Sequence, residues 1–235
     1  MGEDGLLGLT DASRKALAEA EIIFGGPRHL ELAEADGKGR AWPVPFSIAP
    51  VLEMRGRKVA VLASGDPFWH GAGGALMRGL SAGEWVSFPV PSVFSLAANR
   101  MGWKLEDTLC LGLHAAPFEQ LLPLLHPGQR LICTLRDGEA AGELAAWLAA
   151  QGFGASALAI LECLGGPREV VRQAAAQDSG LTDVQAPVAA AIEAKGMAGL
   201  PQAPGLPDDV FANDGQITKR PIRALTLSAL APRPV

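Results

Sequence analysis

Hydrophobic and polar positions alternate along this chain in two periods, and the switches between them mark out its elements. Thr10 or Asp11 caps a helix predicted through about Ala20, Glu21 to Phe24 is a short apolar strand, and Gly25-Gly26-Pro27 breaks it ahead of a helix over His29 to Ala35. Val59 to Ala63 is an apolar run of strand length. It meets a sharp turn, Ser64-Gly65-Asp66-Pro67, and a glycine-rich stretch entering a helix over Ala72 to Leu80. Pro67 suits a first helical position and Asp66 the cap before it. Glu84 to Val90 is predicted as a strand, Ser92 to Met101 as a helix ending at Gly102, and Thr108 to Leu113 as a strand. A helix over Pro117 to Leu125, a strand over Arg130 to Leu135 and a helix over Glu139 to Ala150, stopping at Gly152, follow. Ala155 to Leu161 and Val188 to Ile192 complete the sheet.

Alternation of this kind predicts an α/β architecture with helices on both sheet faces, and ligand sites at the carboxyl ends of the strands. Two α/β domains are expected, over residues 1–90 and 91–195. From residue 196 to 207 glycine and proline are too dense for a regular element, which predicts a linker. Beyond it stand a turn at Asp214-Gly215 and an amphipathic helix from Pro221 to Leu230.

Composition narrows the functional classes. The 235 residues are 49% hydrophobic, enough to bury a sizeable core, and the net charge of −5 argues against a general nucleic-acid binder. Cys110, Cys133 and Cys163 are odd in number and sit in apolar runs, so they read as reduced core thiols. His29, His70, His114 and His126 lack ligand-like spacing, and no metal is expected. No apolar run approaches the ~20 residues of a membrane span and no leader-like segment opens the chain, so a cytoplasmic protein is expected.

The chemistry is carried by Leu62-Ala-Ser-Gly-Asp-Pro-Phe-Trp-His-Gly71, which resembles the Gly-Asp-Pro loop of the tetrapyrrole (corrin/porphyrin) methylases, where the loop lies against S-adenosylmethionine. On pattern alone the same residues serve equally as a plain strand-to-helix connection. Phe24-Gly-Gly-Pro-Arg-His-Leu30 is similar to the Gly-Gly-x-Arg-His-Leu segment of the cobalamin-pathway members that act at C-5 of the corrin ring. Pro91 to Gly102, Leu135 to Glu139 and Leu161 to Glu169 resemble further segments of that family. Asp214 to Pro232 resembles the opening of the second methyltransferase module in fused members, whose glycine-rich motif is absent here.

The resemblance implies a fold of two α/β domains with the cofactor in the cleft between them, and S-adenosylmethionine-dependent C-methylation of a corrin precursor. It implies cofactor contacts from Gly65, Asp66, Pro67, Gly71, Ser95, Leu96, Leu135 and Leu164. Methyl transfer to a ring carbon needs no protein nucleophile, because holding the reactants aligned supplies ~7 to 11 kcal/mol in favourable cases. A base that takes the ring proton would help, and Asp66, His70 and His114 are the candidates, each with a structural alternative at a turn or strand end. Forked hydrogen bonding to the precursor's carboxylates suggests Arg28, Arg100 and Arg136, against the alternative of solvated surface charge. Trp42 and Trp69 could flank a flat macrocycle or serve the core. Expected partners are the corrin precursor, a carboxy-terminal methyltransferase module, fused or separate, and a second copy in a homodimer.

Two departures stand against the family pattern. Members begin with a strand running into Gly-x-Gly-x-Asp-Gly, of which Gly2-Glu-Asp-Gly5 is present, so a missing first strand is expected. Leu113-His-Ala-Ala-Pro117 replaces a His-Gly-Arg sequence. Two other readings stay open: a sister methylase acting at another ring position, and a non-catalytic module that binds a tetrapyrrole or docks a partner methyltransferase.

Overall fold

A computed structural model describes residues 1–197, 199–201 and 203–232. Ala198 and Gln202 of the expected linker lie outside the described residues. The strands form two sheets. The first is parallel and small, with β1 (Ile22–Gly25) between β2 (Gly39–Ala41) and β3 (Val59–Val61). Its helices are α1 (Asp11–Glu19) and the shorter α2 (Pro27–Leu32), α3 (Ala49–Leu52) and α4 (Gly73–Leu76). Thr10 caps α1 by accepting a hydrogen bond from Ser13 N at 3.3 Å, and Pro27 opens α2, where its missing N–H costs nothing.

The second sheet has the order β4 (Thr108–Gly112), β5 (Arg130–Thr134), β8 (Val188–Glu193), β6 (Ala157–Glu162), β7 (Val170–Ala175). β4 and β5 are parallel, and β8 runs antiparallel to both β5 and β6, so β4, β5 and β6 end on one edge. Each strand turns alternate side chains to opposite faces, and both faces are covered. Ile132, Ala159, Leu161 and Ala191 meet Phe94, Ala97 and Ala98 of α5 (Val93–Met101). Leu131, Cys133, Leu158, Ile160, Ala190 and Ile192 meet Ala141, Leu144, Ala145 and Leu148 of α6 (Glu139–Leu148). Ser92 caps α5 through Ser95 N, and Gly102, at φ +65°, ends it in the left-handed conformation that glycine adopts without strain. The last helix, α7 (Arg220–Leu230), carries no buried residue.

Four expected elements are corrected. Glu84 to Val90 forms no strand, because Pro89 and Pro91 remove ladder donors and no strand lies beside it; Trp85 instead packs on Phe68 with ring centroids 5.6 Å apart. The helix predicted over Ala72 to Leu80 shrinks to the single turn α4, flanked by Gly71 and Gly79. Pro117 to Leu125 holds a tight 3₁₀ turn over Phe118–Leu121 followed by a turn in which Leu124 N and Leu125 N both donate to Leu121 O, and Pro123 has no N–H with which to extend a helical ladder through it. Asp66 and Pro67 cap no helix, since α4 starts only at Gly73. The strands β2 and β7 and the turn α3 had no expectation. β7 hides its strand character behind Arg172 and Gln173 at an exposed edge.

The main chain around Gly2–Gly5 is a turn leading into a 3₁₀ turn over Gly5–Gly8. Leu62 N donates to Phe24 O of β1, so the next residue faces away from β1, and there Ala63 O accepts from Met1 N at 2.8 Å.

Candidate active site

Both sheets open toward one region, built from the segments that follow the carboxyl ends of β1, β3, β4, β5 and β6. At the end of β3 the chain turns at Gly65, whose φ is +58° and whose Cα faces Ser92 so closely that a Cβ would lie 2.6 Å from Ser92 Cα. Glycine is therefore required twice over, for its conformation and for its missing side chain. Val90 N donates to Gly65 O at 3.4 Å, which ties the turn to the segment entering α5. Asp66 Oδ1 accepts from Phe68 N at 2.8 Å, so this carboxylate holds its own turn. Gly73 N donates to Pro67 O at 2.9 Å, and side chains at Gly71 or Gly73 would collide with that carbonyl.

The loop delivers His70 against the second sheet. His70 has φ +58°, a left-handed conformation unusual for a residue with a side chain, and its ring stands 6.1 Å from that of His114 and 6.0 Å from that of Phe94. A Cβ on Gly112 would lie 3.0 Å from His70 Cε1 and 3.2 Å from His114 Cε1, so the end of β4 makes room for both imidazoles. His114 Nδ1 lies 3.4 Å from Thr134 Oγ1 at the end of β5. Two of the three candidate bases thus stand side by side, while Asp66 is engaged in its turn.

Of the residues expected at the cofactor, Ser95 shares the α5 cap with Ser92, their hydroxyls 3.3 Å apart. Leu96 faces Gly165, whose φ is +81°. Leu164 and Leu135 are buried, Leu164 beside Phe94 and Leu135 in the core under α6. Trp69 packs on Phe94 at 4.9 Å and is 41% exposed, whereas Trp42 packs with Phe24 and Phe46 in the core of the first sheet.

The three candidate arginines separate. Arg136 is held by Asp137 and Glu143 on the surface. Arg100 pairs with Glu169, whose carboxylate also accepts from Gly165 N at 2.7 Å; this guanidinium holds Glu169 below the usual carboxylate range. Arg28 alone joins the site. Its Nη1 donates to buried Glu3 and its Nη2 donates to Ser64 Oγ at 3.0 Å. His29 Nε2 lies 2.8 Å from Ser64 Oγ and 3.1 Å from Arg28 Nη2. A guanidinium only donates, so His29 Nε2 is the acceptor and the ring proton sits on Nδ1. Burial, then the positive charge of Arg28, push His29 down to about 4, and the ring is neutral at pH 7.

Sequence reasoning missed Glu3, His29, Thr134 and Arg168 as site residues. Glu3 and His29 lay within quoted motifs, but nothing in their spacing showed that one ring nitrogen and one carboxylate would converge on Ser64 and Arg28. A surface hollow of about 590 Å³, lined by Pro127, Gly128, Ala157, Gln173, Glu193 and Lys195 among others, lies at the opposite edge of the second sheet. Among the described residues no three His, Cys, Asp or Glu side chains form a metal set, and no helix is long and apolar enough to cross a membrane.

The chain is similar to known proteins along most of its length. A family model described as tetrapyrrole (corrin/porphyrin) methylases matches residues 2–179, and one described as a precorrin methyltransferase domain matches residues 209–235. A decarboxylating precorrin-6Y C(5,15)-methyltransferase of Sinorhizobium sp is 44% identical over 240 residues, covering 99% of this chain and 58% of the relative. This chain therefore spans less than two thirds of that relative's length. A cobalt-precorrin-7 C(5)-methyltransferase of Salmonella typhimurium is 29% identical over 70% of this chain and 82% of its own. The crystal structure of a uroporphyrin-III C-methyltransferase from Thermus thermophilus, complexed with S-adenyl homocysteine, shares the fold at 21% identity and a TM-score of 0.57, covering 81% of this chain and 93% of that one. The chain belongs to the tetrapyrrole (corrin/porphyrin) methylases.

Proposed function

We propose that this chain catalyses S-adenosylmethionine-dependent methylation of a corrin precursor at ring carbon C-5, in cobalamin biosynthesis. The observation that carries the reading is the meeting of His70, from the Gly65 loop, with His114 at the end of β4, where that loop closes on the start of α5. Two relatives named for C-5 methylation support it.

The residues present fit the cofactor. Gly74 is exposed and a methyl on it would meet nothing within 4 Å, so this main chain is open to a ligand. In this reading Ser64, Ser95 and Thr134 offer hydroxyls to the ligand and Leu96 offers apolar surface. In this reading Gly65, Asp66, Pro67 and Gly71 shape the wall, Ser95 and Leu96 stand opposite, and Leu135 and Leu164 support it from the core. S-adenosylmethionine supplies an electrophilic methyl group on a sulfonium. The protein's work is to hold that group in line with the ring carbon and to exclude water, which is worth ~7 to 11 kcal/mol when alignment is good. His114, with Nδ1 directed to Thr134, keeps Nε2 as the atom that takes the ring proton, and His70 stands beside it as the second base.

The same reading assigns α7 to a second methyltransferase module, fused or separate. Ile222, Leu225 and Leu230 are exposed on it, and the match over residues 209–235 supports the assignment. It also takes the protein to be cytoplasmic and homodimeric. Two measurements test the proposal. Isothermal titration with S-adenosylhomocysteine is expected to show stoichiometric binding. Turnover of the precursor with a labelled methyl donor, mapped by NMR, is expected to place the label on C-5, and label on any other carbon sinks the assignment.

A further inference from the structure

Arg168 lies in the segment after β6 and reaches the same buried carboxylate as Arg28. Glu3, its side chain 6% exposed, is shared: Oε1 accepts from Arg28 Nη1, and Oε2 accepts from Arg168 Nη2 at 3.3 Å. Two guanidiniums from different parts of the fold thus share one carboxylate, leaving an excess positive charge. Neutral His29 and Ser64 do not cancel it.

The two cations are unequal. Arg28 is 35% exposed and engages Glu3, Ser64 and His29. Arg168 is 58% exposed, and beyond Glu3 its described contact is Gln185 Oε1, at the 3.5 Å limit. Its segment is nevertheless firmly placed. Cys163 at φ +48° and Gly165 at φ +81° bend it, and a Cβ on Gly166 would lie 2.5 Å from Glu3 Cβ. A guanidinium with spare donors on a fixed backbone, beside a second guanidinium and the exposed Ser64 hydroxyl, has the donor set that a carboxylate accepts in forked geometry.

The geometry points to Arg168, backed by Arg28 and Ser64, as a binding site for a ligand carboxylate beside the Gly65 loop. This rests on the proposed function for the ligand's identity. The corrin precursor brings acid side chains and S-adenosylmethionine brings an amino-acid carboxylate, so both present the same chemistry. Arg168 is the residue to change: without it buried Glu3 keeps Arg28 as its counter-charge, whereas removing Arg28 would also take away the group that donates to Ser64 and lies against His29.

The test uses the full chain and its tryptophan fluorescence. Cobyrinic acid, a corrinoid with free carboxylate side chains, is titrated against cobinamide, in which they are amides, and S-adenosylhomocysteine is titrated by calorimetry. Wild type is expected to prefer the acid over the amide. Arg168→Gln is expected to lose about tenfold in affinity for cobyrinic acid, with cobinamide unaffected and Arg168→Lys intermediate. A loss confined to S-adenosylhomocysteine keeps the carboxylate site and assigns it to the cofactor. Unchanged affinity for all three probes in a folded Arg168→Gln protein overturns the inference. Absence of C-5 methylation by wild type, with the acid preference and its Arg168 dependence intact, would count against the proposed function and leave this site standing.

Discussion

The two sheets are built to different standards. In the second, β5, β6 and β8 are almost wholly buried, sandwiched between α5 and α6, with Leu131, Ile132, Cys133, Ala189, Ala190 and Ile192 at 0% exposure. In the first, β1 is buried, but all three residues of β3 are half-buried, β2 is largely exposed, and α2, α3 and α4 run to no more than six residues each. Yet the first sheet supplies the Gly65 loop, Arg28, His29 and His70. The tight sheet holds the fold, and the loose one carries the segments that must sit close to a ligand.

Two truncations sharpen the contrast. Leu144→Ala empties a fully buried position beneath the second sheet and is expected to cost about 3 to 4 kcal/mol in urea unfolding. Val61→Ala in half-buried β3 is expected to cost about 1 kcal/mol. Equal losses would remove the distinction between the sheets.

The second prediction concerns the edge of the tight sheet. Glu162, 1% exposed at the end of β6, accepts from Arg172 Nε and from Gln185 N, both at 2.6 Å, while Arg172 Nη1 donates to Thr182 O at 2.8 Å. Arg172→Ala leaves a buried carboxylate without its counter-charge, at about 3 kcal/mol in thermal or urea unfolding. Adding Glu162→Gln is expected to recover part of that loss, and no recovery would show that the arginine acts only by packing.

What the sequence made legible follows the same division. The continuous apolar runs at Arg130–Thr134, Ala157–Glu162 and Val188–Glu193 and the capped helix after Ser92 were readable, because each buries both faces or carries its own stop signals. β2, three residues of Gly39–Ala41, is too short to show a period, and the prolines around Glu84 to Val90 outweigh its apolar alternation. The Gly65 turn was visible as a turn and as a family marker. Its contact with Ser92 was not, because 27 positions separate them in the chain and only the fold brings them together. Glu3 with Arg168 and His70 with His114 are of the same kind: each residue is ordinary alone, and the pair exists only in three dimensions.

Gly65→Ala tests that long-range contact. The added methyl would lie 2.6 Å from Ser92 Cα and 3.2 Å from Pro91 O, on a backbone at φ +58°. Backbone neighbours cannot swing aside as a side-chain tip can, so the loop must shift. A stability loss of about 2 to 3 kcal/mol is expected from the strain and the displacement. S-adenosylhomocysteine binding should fall more than tenfold in the same protein. Gly74→Ala, in open space nearby, should leave stability within ~1 kcal/mol of wild type, which separates the contact from mere helix propensity. If both variants behave alike, the closure of the loop on α5 is not what shapes the site.

The smallest effect is a pH dependence set by His29. Burial and the Arg28 charge push its imidazole down to about 4 in the folded protein, against an ordinary value near 6.5 once unfolded. Between those values the unfolded chain binds the proton and the folded one does not, so acid favours unfolding. The stabilisation is full above pH 6.5 and is lost as pH falls toward 4. Because part of the ring remains solvent-accessible, a contribution of ~2 kcal/mol is expected after screening. His29→Gln keeps a side-chain acceptor for Ser64 and Arg28 but cannot titrate, so its stability should fall less steeply between pH 6.5 and 4 than that of wild type, measured by urea midpoints across that range. Parallel slopes in the two proteins would mean that His29 titrates normally. That outcome would place the Ser64 contact in solvent and make the loose sheet's site looser than its hydrogen bonds imply.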